Sequence, residues 1–276
     1  MTVLARWRRR GVKTPRPELF SYNGYEIPVD LVKLTGGGPA TWDAIARMHM
    51  DAYARYAPIE PSFSVLEVGC GVGRDAIPLS HLLSPAGSYV GVDIVKPSIV
   101  WCQENITPTF PNFRFVHFDV QSDIHNPRGT ISSADVKMPV PDASVDRILL
   151  QSVFTHMFEP DIVWYMRDFA RALRPRGVVI ASFFIIDDET RALAVDTGQW
   201  LTFQHQIDPD CWVNDPEHPE GAVSYTEAAL RRMLAASGLR LLQQIHRGAW
   251  CGREGLADGQ DMCILGRANQ SAGPAA

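Results

Sequence analysis

Between Val65 and Gly73 an apolar run passes straight into glycines at alternate positions, Val65-Leu-Glu-Val-Gly-Cys-Gly-Val-Gly73. Glycine has no Cβ, so it enters backbone conformations closed to other residues and lets a ligand approach the main chain. The run before it reads as a short buried strand, and Asp75 to Leu83 after it reads as a helix. A strand that turns on glycines into a helix opens a βαβ unit, and such turns are where nucleotide-like ligands bind.

The rest of the chain repeats that alternation. Strands are expected at Ser88–Asp93, Phe113–Phe118, Val145–Gln151, Val178–Ile186, Leu239–Ile245 and Asp261–Leu265. Helices are expected at Pro97–Asn105, at Asp161–Leu173 ended by the Arg174-Pro-Arg-Gly177 turn, and from a capping box at Ser224-Tyr-Thr-Glu227 through Ala236. The fold class that follows is α/β: a doubly wound, seven-stranded, mostly parallel sheet with helices on both faces. A helix from Trp42 to Arg55, capped by Thr41, precedes it after the loop Gly36-Gly-Gly38.

Residues 1–40 read as a basic, partly disordered arm, 41–267 as one domain, and 268–276 as a disordered tail. Two stretches break the alternation, 121–137 and 187–223. Long connections at the ligand-binding edge of such a sheet act as lids, so both are assigned to a substrate lid. Arg6, Arg8, Arg9, Arg10, Lys13 and Arg16 crowd the arm, but no apolar run follows them as in a signal peptide. A net charge of −5 excludes a broadly basic surface that neutralises phosphates, so no nucleic-acid partner is expected. No stretch has the ~18 apolar residues a bilayer span requires, so no membrane insertion is expected. The 5 cysteines are scattered and none lies in a Cys-x-x-Cys pair, which fits a cytoplasmic location and no bound metal. A homodimer is compatible with this layout.

The chemistry lies at three strand ends. The nicotinamide fingerprint is Gly-x-Gly-x-x-Gly, whereas here the third glycine comes one residue early and Arg74 takes the last place. The loop therefore does not match a pyrophosphate site, but it suits a ligand with an amino-acid end, whose ammonium Glu67 can answer. Asp93, in Gly91-Val-Asp-Ile94, ends the next strand, where a carboxylate accepts from both ribose hydroxyls. Asp119 ends the third, where it and Val120 can meet an adenine edge.

In this set of motifs the chain resembles the class I, seven-stranded S-adenosylmethionine-dependent methyltransferases. The likeness runs from Val65 to Gly177 and includes Pro139-Val-Pro-Asp-Ala-Ser-Val-Asp146, Leu149-Leu-Gln-Ser-Val-Phe-Thr-His156 and Ala172-Leu-Arg-Pro-Arg-Gly177. The resemblance implies S-adenosylmethionine as cofactor. It implies that Glu67 with Gly69, Cys70, Gly71 and Gly73 holds the methionine end, Asp93 and Ile94 the ribose, Asp119 and Val120 the adenine, and that Gln151 lies beside the sulfonium. The layout resembles bacterial small-molecule and sugar O-methyltransferases, which implies a small-molecule or sugar acceptor.

Methyl transfer to a hydroxyl needs alignment and a destination for the proton. His156, just past the fourth strand, is the expected catalytic base, ahead of Asp187, Asp188 and His205 in or beside the lid. Trp200, Phe203 and Trp212 are available there to stack on an acceptor. N- or C-methylation of a small molecule, a non-catalytic adenosylmethionine-binding subunit and a nicotinamide oxidoreductase are the competing readings.

Overall fold

The computed structural model describes residues 17–122, 126–132 and 137–269; the arginine-rich start and the last seven residues of the expected tail lie outside them. Strands β3 (Ser64–Val68), β4 (Ser88–Asp93), β5 (Phe113–His117), β6 (Val145–Leu150), β7 (Leu173–Phe183), β11 (Leu239–Leu241) and β12 (Asp261–Arg267) form the central sheet. Their order is β11-β12-β7-β6-β3-β4-β5. The five from β7 to β5 are parallel, and β12 runs antiparallel to both β7 and β11. This is the expected seven-stranded doubly wound α/β sheet.

Both faces of the sheet are buried, so the central residues of its strands are apolar and successive ones enter opposite cores. Ile148 and Leu150 of β6, with Val179 and Ala181 of β7, join one core; Leu149 and Ile180 between them join the other. The first core is closed by α5 (Glu159–Ala172) through Ile162, Met166 and Phe169, and by α7 (Glu227–Ser237) through Leu230 and Met233. The second is closed by α2 (Pro39–Tyr56), α3 (Ala76–Leu82) and α4 (Lys96–Asn105), with Trp42, Ile77 and Ile99 inward. Because β3 pairs with both β4 and β6, the chain leaves it in one direction and returns on its other side. The crevice opens at that reversal, beyond the carboxyl ends of β3 and β6.

The structure departs from the sequence reading at several elements. The arm expected to run to residue 40 is folded from Leu19: the hairpin β1 (Leu19–Tyr22) and β2 (Tyr25–Pro28) leads into the short helix α1 (Val29–Leu34). Ile27 and Val32 are fully buried, and Phe20 and Tyr22 meet the Trp42 ring edge-on at 5.9 and 6.1 Å, which anchors this segment over the sheet's second face. Gly38, not Thr41, precedes α2, and the Thr41 hydroxyl accepts from the Gly38 N–H at 3.1 Å. The Arg174-Pro-Arg-Gly177 turn is a bulge within β7, between the pairings of Leu173 with Val145 and Val178 with Arg147.

The 187–223 stretch is also folded. Helix α6 (Asp188–Asp196) and a small antiparallel sheet of β8 (His205–Asp208), β9 (Cys211–Val213) and β10 (Val223–Tyr225) fill it. Phe203 packs against Phe184 and Trp250 at 5.2 and 5.4 Å, and Tyr225 bridges to Ile185, so this layer is fixed to the end of β7. Ser224 lies in β10 with its hydroxyl on the Trp212 carbonyl; Thr226 caps α7 instead, accepting from the Ala229 N–H at 3.1 Å. An N-cap removed typically costs about 1 kcal/mol. Thr226→Ala is expected to lower stability by about that amount in denaturant titration, with the slope against denaturant unchanged.

Candidate active site

The glycine loop is shaped by hydrogen bonds to the neighbouring strand β4. The Gly69 and Cys70 N–H groups donate to the Val92 carbonyl at 2.8 and 3.1 Å. One Asp93 oxygen accepts from the Gly71 N–H and the other from the Val95 N–H, each at 2.7 Å. Gly71 has a φ of +52°, and a Cβ there would strike the Thr35 side chain, whose hydroxyl accepts from the Val72 N–H at 3.1 Å. A side chain at 71 is therefore refused by both conformation and space. Burial raises the pKa of Asp93, and the two backbone donors offset part of that rise.

A cavity of about 440 Å³ runs along this edge, and Gly69, Gly71, Asp93, Ile94, Val120 and Gln151 all line it. Four other expected residues do not. Glu67 is 4% exposed behind the loop and accepts a hydrogen bond from the Tyr89 hydroxyl. Cys70 and Gly73 face the packed core, where a Cβ on Gly73 would meet Ile106. The Asp119 carboxylate turns toward the 126–130 turn, accepting from the Thr130 hydroxyl at 2.7 Å and the Asn126 amide at 3.1 Å. Those donors, with Thr130 the stronger, hold Asp119 below its ordinary pKa, and Phe118, Val120 and Gln121 form the wall in its place.

Arg74, which the sequence marked only as a departure from a fingerprint, enters this cavity. It is 8% exposed, its Nη1 donates to the Gly36 carbonyl at 2.8 Å, and its guanidinium lies 5.7 Å from the Trp42 ring centre. Its Nε is buried without a partner among the described residues, as is Gln151 Nε2. Two donors left in this state favour a ligand that accepts from them. A resident S-adenosylmethionine fits this set: apolar Ile94, Phe118 and Val120 for the adenine, Asp93 for the ribose, and Arg74 beside the glycines for the carboxylate.

His156 sits in a single 3-10 turn (Phe154–His156) and also lines the cavity. Its Nδ1 lies 2.9 Å from the Glu220 carbonyl, so the neutral ring carries its proton there and its lone pair on Nε2. Next to Gln151, Ser152 takes a φ of +58°, uncommon for a residue with a Cβ. The Ser182 hydroxyl accepts from its N–H at 2.7 Å, and Gln260 donates to its hydroxyl at 3.0 Å. Conformations held this way cluster at functional positions.

The remaining candidates lie elsewhere. Asp187 caps α6, accepting from the Thr190 N–H at 2.8 Å, while Asp188 pairs with Arg191 and His205 is exposed on β8. Phe203 is core, Trp212 lies under the Arg191 guanidinium, and Trp200 is 75% exposed; none lines the cavity.

Beneath the loop lies a buried group that the sequence did not single out. The Tyr53 hydroxyl donates to Asp75 at 2.6 Å, and His49 Nδ1 is 2.9 Å from both Asp75 oxygens. Burial pushes Asp75 up, but His49 and then Arg74 overcome it and hold the pKa below normal. Glu67 goes the other way: burial and the Asp75 charge raise it well above normal against the Tyr89 hydrogen bond. A carboxyl that holds its proton more tightly when folded loses stability as pH rises from its unfolded pKa of ~4.3 toward the folded one. Glu67→Gln is expected to remove that loss, stabilising the protein at pH 8 and not at pH 4 in paired thermal melts.

Residues 65–177 match a family model described as a methyltransferase domain. The phthiotriol/phenolphthiotriol dimycocerosates methyltransferase 1 of Mycobacterium ulcerans is 31% identical over 136 residues, 49% of this chain and 43% of its own length. The chain spans between 32% and 58% of the length of the first curated relatives it matches. Among solved structures, the mitomycin 7-O-methyltransferase superposes with a TM-score of 0.53 at 16% identity, over 84% of this chain and 55% of its own. The Burkholderia thailandensis 1,6-didemethyltoxoflavin-N1-methyltransferase, solved with S-adenosylhomocysteine, does so at 0.52 and 17%, over 83% and 79%. Residues 65–177, which carry the glycine loop and Asp93, thus form a methyltransferase domain of the S-adenosylmethionine-dependent class, set in a seven-stranded sheet.

Proposed function

We propose that the protein transfers a methyl group from S-adenosylmethionine to a hydroxyl of a small metabolite or sugar. The observation that carries this reading is the order of groups along one cavity: an apolar slot, then Asp93, then the glycine loop with Arg74 and Gln151. A carboxylate has about four acceptor sites, and Asp93 has two backbone donors, which leaves capacity for both ribose hydroxyls. Arg74 supplies a fixed cation for the carboxylate of the methionine end. The bound sulfonium supplies an electrophilic methyl; the chain supplies alignment, a water-poor cavity and a proton acceptor.

An acceptor hydroxyl must lose its proton as it is alkylated, and two imidazoles border the space around Gln151: His156, singled out by the sequence, and His49, added by the structure. The two neighbours of the same fold bear names for O- and N-methylation, and the O-methylation reading for this chain draws on these imidazoles.

Calorimetry with S-adenosylhomocysteine, 5′-methylthioadenosine and NAD tests the cofactor assignment. S-adenosylhomocysteine is expected to bind and NAD not to; tighter binding of NAD would overturn it. A hydrogen bond to a charged group contributes about 1.5–3 kcal/mol, or about 10- to 100-fold in affinity. Asp93→Ala is expected to weaken both adenosine ligands by at least ~10-fold. Arg74→Met is expected to weaken S-adenosylhomocysteine by ~10- to 100-fold and to leave methylthioadenosine, which has no carboxylate, unchanged.

A further inference from the structure

A second chamber of about 250 Å³ lies beyond Gln151 and Ser152. Thr35, Gly36, Arg74, Gln151 and Ser152 line both spaces, so the two meet at the carboxyl end of β6. Gly69, Gly71, Asp93, Ile94 and Val120 line only the larger one. With the cofactor in that cavity and its sulfonium at Gln151, the chamber is the space across from the methyl group.

The chamber has two kinds of wall. Ile45, Met48 and Ala52 of α2 and Met262 of β12 make it apolar on one side; Asp258, Gln260 and His49 supply the polar groups. His49 is 6% exposed and Asp75 behind it 2%. Nδ1 faces the Asp75 carboxylate, which fixes the tautomer of the neutral ring and places its lone pair on Nε2. Among the described residues no hydrogen bond engages Nε2. Burying a carboxylate is costly unless it is paired, and this one is paired with a histidine on the chamber wall. A histidine oriented by a buried acid, with its other nitrogen left for a ligand, is the arrangement of a general base.

We propose that this chamber is the acceptor subsite, that it takes a hydroxyl on a single, largely apolar ring, and that His49, oriented by Asp75, receives the hydroxyl proton. The volume sets the ring count: a cavity of ~150 Å³ holds benzene, so this one admits one ring with small substituents. As the acceptor oxygen forms its bond to the methyl carbon, the electrons of the broken C–S bond stay on sulfur and the hydroxyl proton passes to His49 Nε2. The resulting imidazolium is stabilised by Asp75, a positioning residue that shares its charge with the Tyr53 hydroxyl. Around this pair, Arg74 opposes a positive imidazole, while Asp258 and Glu67 lie on neighbouring elements.

This inference rests on the reading of the larger cavity as the cofactor site. The test is NMR of the full chain with labelled histidines, at saturating S-adenosylhomocysteine, with phenol as the probe and the His49 signals assigned by their loss in His49→Leu. Phenol is expected to shift the His49 signals saturably. Anisole, the same ring without a proton to give, is expected to bind at least ~10-fold more weakly to the wild type and equally well to His49→Leu. Ala52→Phe fills the chamber and is expected to weaken phenol at least ~10-fold while calorimetric affinity for S-adenosylhomocysteine is kept. Asp75→Asn removes the charge that orients the imidazole and makes it a better acceptor, and is expected to reduce the discrimination between phenol and anisole. Ala52→Phe and Asp75→Asn carry the test independently of His49→Leu. A saturable shift confined to His156, no saturable shift at any histidine, or an unchanged discrimination in Asp75→Asn overturns the proposal. Failure of S-adenosylhomocysteine to bind overturns the cofactor reading instead.

Discussion

The Asp93 carboxylate fastens the site together. It ends β4, yet its oxygens hold the N–H of Gly71 across the β3 turn and that of Val95 at the start of α4. The glycine loop would otherwise be a run of residues with few conformational restraints, because glycine is the residue that loses most freedom on ordering. Thr35 closes the same loop from the other side, packing over Gly71 and accepting from Val72. The folded N-terminal segment that carries Thr35 is thus part of the cavity, and α1 and α2 are tied to the sheet edge by the contacts that shape the loop.

A second constraint meets the first at the end of β6. Ser152 is held with positive φ by Ser182 and Gln260, groups brought from β7 and from the loop before β12. Gln151 beside it borders both cavities, so these meet where the two halves of the doubly wound sheet join. The buried carboxyls beneath the loop divide the electrostatic work. Asp75 is kept ionised by His49 and Arg74, and Glu67, with no cation as close, is pushed toward its protonated form. Two negative charges this close in a dry core disfavour each other, and the one with the better partner keeps its charge.

Much of this was legible in the chain. Alternating apolar residues on β6 and β7 enter opposite cores, as continuous apolar strands between helices predict. The glycine spacing and the strand-end Asp93 located the cavity because both are local backbone features. Glu67 and Asp119 share that local signature but not its consequence. Whether a strand-end carboxylate faces a cleft depends on what packs against it, and Tyr89 and the 126–130 turn claim these two. The capping residue of α7 slipped from Ser224 to Thr226 for a similar reason, since pairing with β9 takes Ser224 into a strand.

Sequence by itself determined the sheet, its helices, the glycine turn and the family, because each is written in residues close together in the chain. Only the tertiary structure decided that residues 19–34 fold onto the sheet and bring Thr35 to the glycine loop rather than forming an arm, that the 187–223 layer packs on Phe184 and Trp250, and that Arg74 enters the cavity. It alone set His49 against Asp75, 26 positions apart, at the wall of a second chamber. A histidine in an amphipathic helix carries no sign of the acid it will meet, since that partner arrives through the packing of α2 onto the sheet and not through any pattern in α2.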